Sequence, residues 1–203
     1  MSTTRRPTAQ RREEIADAAL RIIENHGIVA LTTSSLARAV GLTTGALFRH
    51  FDSTEAILEA VAERVETLLR ATLPDADLPP RVRLERFLDA RSAVAGKHAG
   101  ILRLMTSEQF TLALPPGAKR RLRAAVAETR ALVTRTLADG QAEGAFRDDQ
   151  PADALAVIVL GTLKMLAFAA AVGGAPEAQS ARVRATLRAL LERQAGRPKR
   201  RKA

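Results

Sequence analysis

The chain has 203 residues, enough to bury a sizeable core as one large domain or as a small domain joined to a larger one. Lys and Arg total 32 against 22 Asp and Glu, and the net charge of +10 favours a polyanionic partner over a small acidic substrate. With no Cys, a disulfide framework, a thiolate metal site and a Cys nucleophile are all excluded, and with six Phe but no Tyr or Trp there are few stacking platforms for single strands, so duplex DNA is the better partner.

The first segment, "TTRRPTAQRR", carries four Arg and no acid, and nothing apolar follows that could make it a secretory signal. Residues 10–26 then place Ile15, Ala19, Ile22 and Ile23 on one helical stripe, with His26-Gly27 as the stop. A short helix follows, capped by Thr32 or Thr33, with Leu36, Ala37 and Val40 as its apolar face and Gly41 as its end. Thr43 is placed to cap a third helix over "TGALFRHF", in which Leu47 faces inward while Thr44, Arg49 and His50 point away. A fourth helix is expected to begin at Asp52, paired with Glu55 in a capping box, and to run to about Leu73. "PDADLPP" then breaks the chain, the best domain boundary in the sequence.

Beyond that break every periodic segment is helical: residues 81–95, 98–110, 117–142, 151–172 and 176–194. No strand-period segment and no repeat of 20 to 50 residues occurs, so the fold class is all-α, with about nine helices. The segment "LAVIVLGTLKMLAFAAAV" is about long enough to span a bilayer, yet Lys164 sits near its middle, and a buried helix in a cytoplasmic protein with no membrane association is the expected reading. "GRPKRRKA" ends the chain as a basic tail.

The stretch "ALTTSSLARAVGLTTGALFRHF" has the parts of a helix-turn-helix: two short helices, a Gly at the turn, and small or hydroxyl side chains at the start of the second helix. An ordinary helical hairpin with a polar outer face remains the alternative on spacing alone. Residues 11–71, through "ALRIIENHGIVALTTSSLARAVGLTTGALFRHFDSTEAILEAV", resemble the N-terminal DNA-binding domain of the TetR family of transcriptional regulators. The resemblance implies that Thr33 and Ser34 open the positioning helix against a phosphate. It further implies that Thr43, Thr44 and Gly45 open the recognition helix and that Phe48, Arg49 and His50 lie along it. Three positions depart from common family usage: Phe48 stands where a Tyr usually meets a phosphate, Thr54 where a Lys usually reaches the backbone, and Ser34 where some members carry Arg. Arg5, Arg6, Arg11 and Arg12 are expected to replace the lost charge.

The domain organisation expected is a basic arm at 1–10, a helix-turn-helix domain at 11–71 with its motif at about 34–53, a helical ligand-binding and dimerisation domain at 81–195, and a tail at 196–203. One such motif buries little DNA, so recognition requires two copies about 34 Å apart on a palindromic operator, and hence a homodimer. The last two helices, about 153–194, offer stripes for it: Ala156, Val159, Leu160, Leu163 and Leu166, then Val183, Leu187, Leu190 and Leu191. Those stripes could equally be spent on an internal core. The resemblance also implies a small-molecule effector, with Phe87, Met105, Phe110, Thr134, Thr162, Met165 and Phe168 as candidate lining; core packing is the alternative for each. No enzyme motif, catalytic residue, metal site or cofactor site is expected: His26, His50 and His98 have no ligand-spaced partner, and no GxSxG or phosphate-binding Gly loop occurs. The function expected is a sequence-specific DNA-binding regulator, a repressor released by a small apolar ligand, with an architectural DNA-binding protein as the alternative.

Overall fold

The computed structural model describes residues 8–98, 101, 107–171 and 176–192. Among these the chain forms nine α-helices and one 3-10 turn and contains no strand. The first helix, α1 (Thr8–His26), buries Ile15, Ala19 and Ile23 as the apolar spacing requires. Gly27 ends it with φ of +81°, a conformation costly for any residue with a Cβ. Next come the 3-10 turn Ile28–Ala30, α2 (Thr33–Ala39), α3 (Thr44–Leu47) and α4 (Thr54–Arg70).

Each of these short helices is started by a hydroxyl. Thr32, not Thr33, caps α2 in a capping box: its side chain accepts from Ser35 N, and Ser35 Oγ accepts from Thr32 N, both at 3.0 Å. Thr43 caps α3, accepting from Ala46 N at 3.1 Å. The cap of α4 is Ser53 rather than Asp52, and α4 starts accordingly one residue later than a cap at Asp52 would allow. Glu55 bonds the Ser53 hydroxyl and its own backbone N–H, which together hold its carboxyl below the ordinary carboxylate range. The expected helix over residues 44–51 is α-helical only to Leu47. The amides of His50 and Phe51 both donate to the Leu47 carbonyl, tightening the chain into turns as Phe51 enters the core.

The second half supplies α5 (Pro80–Lys97), α6 (Glu108–Ala113), α7 (Pro116–Ala142), α8 (Ala152–Ala171) and α9 (Glu177–Leu191). The helix expected over residues 98–110 lies partly outside the described residues. Within them Ser107 is extended and caps the separate helix α6, so the stretch is not one helix.

The described residues fall into two compact units, one from the ranges 1–71 and 93–127 and the other from 72–92 and 128–203. The Pro-rich break therefore separates α4 from α5, but it is not the sole boundary. Residues 93–127 stay with the first unit because Ile101, Phe110, Leu114, Ala118, Leu122 and Ala125 share one buried core with Leu47, Phe51, Ile57 and Val61. That unit also contains a long-range cap. Pro115 gives the first turn of α7 no side-chain acceptor, and Glu59 of α4 takes the role, accepting from Ala118 N at 3.0 Å. Gly117 permits the approach, since a Cβ there would stand 2.6 Å from Glu59 Oε1. Arg121 adds ion pairs to Glu63 at 3.2 Å and Glu66 at 3.5 Å.

The second unit is built on α5 and α7 running antiparallel, Arg83 meeting Asp139 and Arg91 meeting Thr129. Leu84, Phe87, Leu88, Val133, Leu137, Phe146, Leu155, Ala156, Val159, Leu163, Leu187 and Leu191 form its core. Gly140 lies directly under the Phe146 ring, leaving no room for a Cβ. The apolar helix α8 is buried along one side only. Leu155, Ala156, Val159, Leu163 and Ala167 make its buried stripe, whereas Val157, Ile158, Met165 and Phe168 are exposed, and Lys164 is exposed with them. By length and composition this is also the one segment among the described residues that could cross a membrane, which for a single helix of a helical core is weak support.

Candidate nucleic-acid interface

The two helices of the motif meet through a turn whose geometry depends on one residue. Gly41 has φ of +67°, and Leu42 N donates back to the Ala37 carbonyl at 2.8 Å, closing α2 with a left-handed residue. From there the chain extends through Leu42 and Thr43 into α3. Ala46 and Leu47 face the core, and Thr43, Thr44, Gly45 and Arg49 are left exposed. Nothing lies within 4 Å of where a Gly45 Cβ would be, so the start of α3 is open to an approaching surface. The amides of Thr44 and Gly45 precede the first bond of the helix and point outward with its positive end. On α2, Ser34 is exposed and Thr33 half-buried beside the Thr32 cap; Thr54 is exposed at the first position of α4. Three capped helix starts thus present hydroxyls and free amides, the groups that position a protein on phosphates.

Phe48 is 39% exposed, an aromatic ring left at the surface of the recognition segment. His50 is half-buried, and its Nδ1 is buried with no hydrogen-bond partner among the described residues. Any contact to DNA from this ring falls to Nε2.

The basic arm changes character in the structure. Arg5 and Arg6, like the tail at 196–203, lie outside the described residues, whereas Arg11 and Arg12 belong to α1. Arg11 pairs with Glu14 at 2.7 Å. Arg12 donates to the His50 carbonyl and lies over the Phe51 ring, 4.3 Å from its centre. It thus braces the end of the recognition segment through a carbonyl and a cation–π contact. Arg12, expected as a phosphate contact of the arm, instead sits on the second turn of a helix that starts at Thr8, and that register turns it toward His50 and Phe51. Arg38 is exposed on the positioning helix.

The candidate ligand-lining residues are dispersed. Phe87 is buried in the second unit, with Thr134 and Thr162 half-buried, while Met165 is 63% and Phe168 44% exposed on α8. Phe110 is buried in the core of the first unit, and Met105 lies outside the described residues. No group of three or more His, Asp or Glu among the described residues is arranged to hold a metal.

Helix, Gly turn, short second helix with an open, hydroxyl-rich start, and a supporting helix on either side define a helix-turn-helix DNA-binding protein. Residues 15–61 match the family model described as "Bacterial regulatory proteins, tetR family". Residues 15–61 are thus a DNA-binding domain of the TetR family, built on the helix-turn-helix of that family. Among curated relatives the chain is similar to nucleoid occlusion factor SlmA from Aliivibrio fischeri, 34% identical over 111 residues, or 52% of this chain and 55% of that protein. The Vibrio vulnificus SlmA is 33% identical over 104 residues, 48% of this chain and 52% of that one. The chain therefore spans about half the length of the curated relatives it matches. The whole fold is shared with solved regulators. For the ketosteroid transcriptional regulator KstR2 of Mycobacterium tuberculosis the TM-score is 0.76 at 21% identity, covering 96% of this chain and 98% of that one. For the TetR-family regulator PfmR of Thermus thermophilus it is 0.71 at 24% identity, covering 98% and 100%.

Proposed function

We propose that this regulator is a homodimeric repressor of the cytoplasm that reads a palindromic operator and is released from it by a small, largely apolar molecule, with no enzymatic activity of its own. The observation that carries the reading is the open start of α3, where Thr43, Thr44 and Gly45 stand exposed ahead of Arg49 on a segment braced from behind by Arg12. Thr33, Ser34 and Thr54 serve the phosphates on either side, and Thr44, Arg49 and the His50 Nε2 serve the base edges.

Dimerisation is supported by the second unit. The stripe of Ala156, Val159 and Leu163 with Leu187 and Leu191 is spent on its own core. The adjacent face of α8 and α9 carries the exposed Ile158 and Leu190, around a groove of about 260 Å³ that Thr162, Val183 and Thr186 also line. Joining two such faces would bury apolar surface that a single chain leaves in water.

A second reading has its own support: the curated relatives are named nucleoid occlusion factors. On that reading the chain is an architectural DNA-binding protein that occupies many sites and answers to no small molecule. Selection of bound sequences from a random duplex pool separates the two. A repressor enriches one palindrome, binding it roughly a thousandfold or more above random duplex, whereas a sequence-tolerant protein shows salt-dependent binding with little enrichment. On an enriched site, Arg49→Ala should cost about 1–3 kcal/mol of discrimination at a single base pair. A uniform loss across sequences would place Arg49 on phosphate instead.

A further inference from the structure

Two arginines on α5 are buried in the seam with α7, and they differ in what they meet. Arg83 is 7% exposed and fully answered: Nη1 pairs with Asp139 at 2.7 Å, and Nε and Nη2 donate to the Leu78 carbonyl at 3.2 and 2.9 Å. Arg91, two turns further along, is 8% exposed and meets no carboxylate among the described residues. Its one hydrogen bond runs from Nη2 to Thr129 Oγ1 at 3.1 Å, and its guanidinium lies 5.2 Å from the centre of the Phe87 ring. A guanidinium has five N–H donors and a permanent charge, and neither a hydroxyl nor a ring face neutralises it. Burial alone sets its protonation, drawing it down to about 10 with no acidic neighbour to offset the loss of water.

A second buried polar group, on α7 in the helical register of Thr129, is unanswered. Thr136, on α7 two turns beyond Thr129, is 1% exposed, and its Oγ1 has no hydrogen-bond partner among the described residues. The antiparallel register that joins residue 83 to 139 and 91 to 129 sets Phe87 opposite the stretch of α7 around Val133. The seam therefore reads, from one end, as buried cation, aromatic and aliphatic wall, then unpartnered hydroxyl. Retaining an unneutralised cation among apolar side chains is costly for the fold, and an anion entering beside it would recover that cost on binding.

We propose that Arg91 is the anchor of an anion-binding site in the second unit, and that its ligand is the carboxylate of an otherwise apolar small molecule. The carboxylate takes the place at Arg91 that Asp139 takes at Arg83, as a bidentate partner beside the Thr129 hydroxyl. The apolar body lies along Phe87 and Val133 toward Thr136. The site deepens the reading of the chain as a ligand-released regulator, because it assigns the effector a charge and a class.

The test uses the full chain and matched probes: hexanoate, octanoate, benzoate and phenylacetate, each beside its uncharged primary amide, followed by thermal melting. The acids should raise the melting temperature and the amides should not. In Arg91→Met the acid-dependent shift should disappear, and the ligand-free variant should melt no lower than the original, since it loses a buried charge that had no carboxylate. Arg91→Lys should keep part of the shift with an affinity at least tenfold weaker, as an ammonium lacks the planar fork. Equal shifts from acids and amides, an unaltered acid shift in Arg91→Met, or no acid-dependent shift in the original chain would each overturn the proposal. Operator binding is measured in the same samples: an Arg91-dependent acid shift that leaves DNA binding unchanged would sink the ligand-released reading while the anion site stands.

Discussion

The two units of this chain differ in where their exposed apolar side chains gather. In the first unit Ile15, Leu47, Phe51, Val61 and Val65 are fully hidden, the exposed Val29, Phe48, Leu112 and Val126 stand on separate elements, and the start of the recognition helix is left to Thr, Gly and Arg. In the second, the helix richest in apolar residues hides one stripe and leaves Val157, Ile158, Met165 and Phe168 in water, while two arginines occupy the interior. A domain that reads DNA presents polar groups at fixed positions and needs a closed core to hold them. The pairing and ligand binding proposed for the second unit call for apolar surface outside and polar groups within. Composition alone hides this contrast, because both units draw on the same Ala, Leu and Arg.

The contrast predicts that similar changes have opposite consequences in the two units. Phe51→Ala should cost about 3–5 kcal/mol of folding stability, seen as a lower denaturant midpoint, because it empties a site with no solvent access directly behind Arg49 and His50. Ile158→Asp with Leu190→Asp should change the stability of the single chain by no more than about 0.5 kcal/mol per site. The pair should instead halve the mass in solution. It should also weaken operator binding by about 10²–10⁴-fold, since the second head would no longer be held near its half-site. If the double variant lost folding stability on the scale of Phe51→Ala, the exposed face of α8 and α9 would be core, and the contrast between the units would fail.

A smaller effect is expected where α4 caps α7 within the first unit. Glu59→Ala removes the acceptor for Ala118 N and should cost about 1 kcal/mol, the ordinary value of a helix cap. Glu59→Gln keeps a carbonyl oxygen for the same amide and loses only the charge against the helix dipole, so it should cost less than half of that. Equal losses from both would mean that the Glu59 charge against the dipole of α7, rather than the hydrogen bond, carries the contact.

How far the sequence disclosed these features follows from the range of the interactions. Thr43 and Gly41 act within five residues, so cap, turn and recognition start could be placed from spacing. Local reading faltered where two candidates stood side by side: Thr32 against Thr33, and Asp52 against Ser53. The early end of α3 depends on Phe51 being drawn into a core assembled from α1, α2 and α4, and no local propensity encodes that. The Glu59 cap joins residues 59 apart, and the only hint was a helix start, "LPPGAK", without a capping side chain of its own. Arg83 and Arg91 were hidden for another reason. On a helix that also carries Arg81 and Arg86, spacing does not tell one arginine from another, and only the packing of α7 against α5 shows which are inside.

The smallest effect concerns the far end of α1, where the closed core of the first unit has one polar exception. Glu24 is 9% exposed, and its Oε1 lies 3.6 Å from His98 Nδ1. Burial pushes its carboxyl above the ordinary value of 4.5; His98 and Arg21 oppose the shift, and Asp17 adds to it. Above 4.5 the unfolded chain releases this proton before the folded chain does. The contribution of Glu24 to stability is therefore greatest in acid and is lost as the pH rises through the folded value. Glu24→Gln removes the titration, so its melting temperature relative to the original chain should climb between about pH 4 and 7. His98→Ala should act in the reverse sense, removing the chief group that favours the ionised carboxyl and carrying the loss of stability to higher pH. Parallel melting curves for all three chains across that range would show that solvent reaches Glu24, and the first unit would then have no buried charge to set against Arg91.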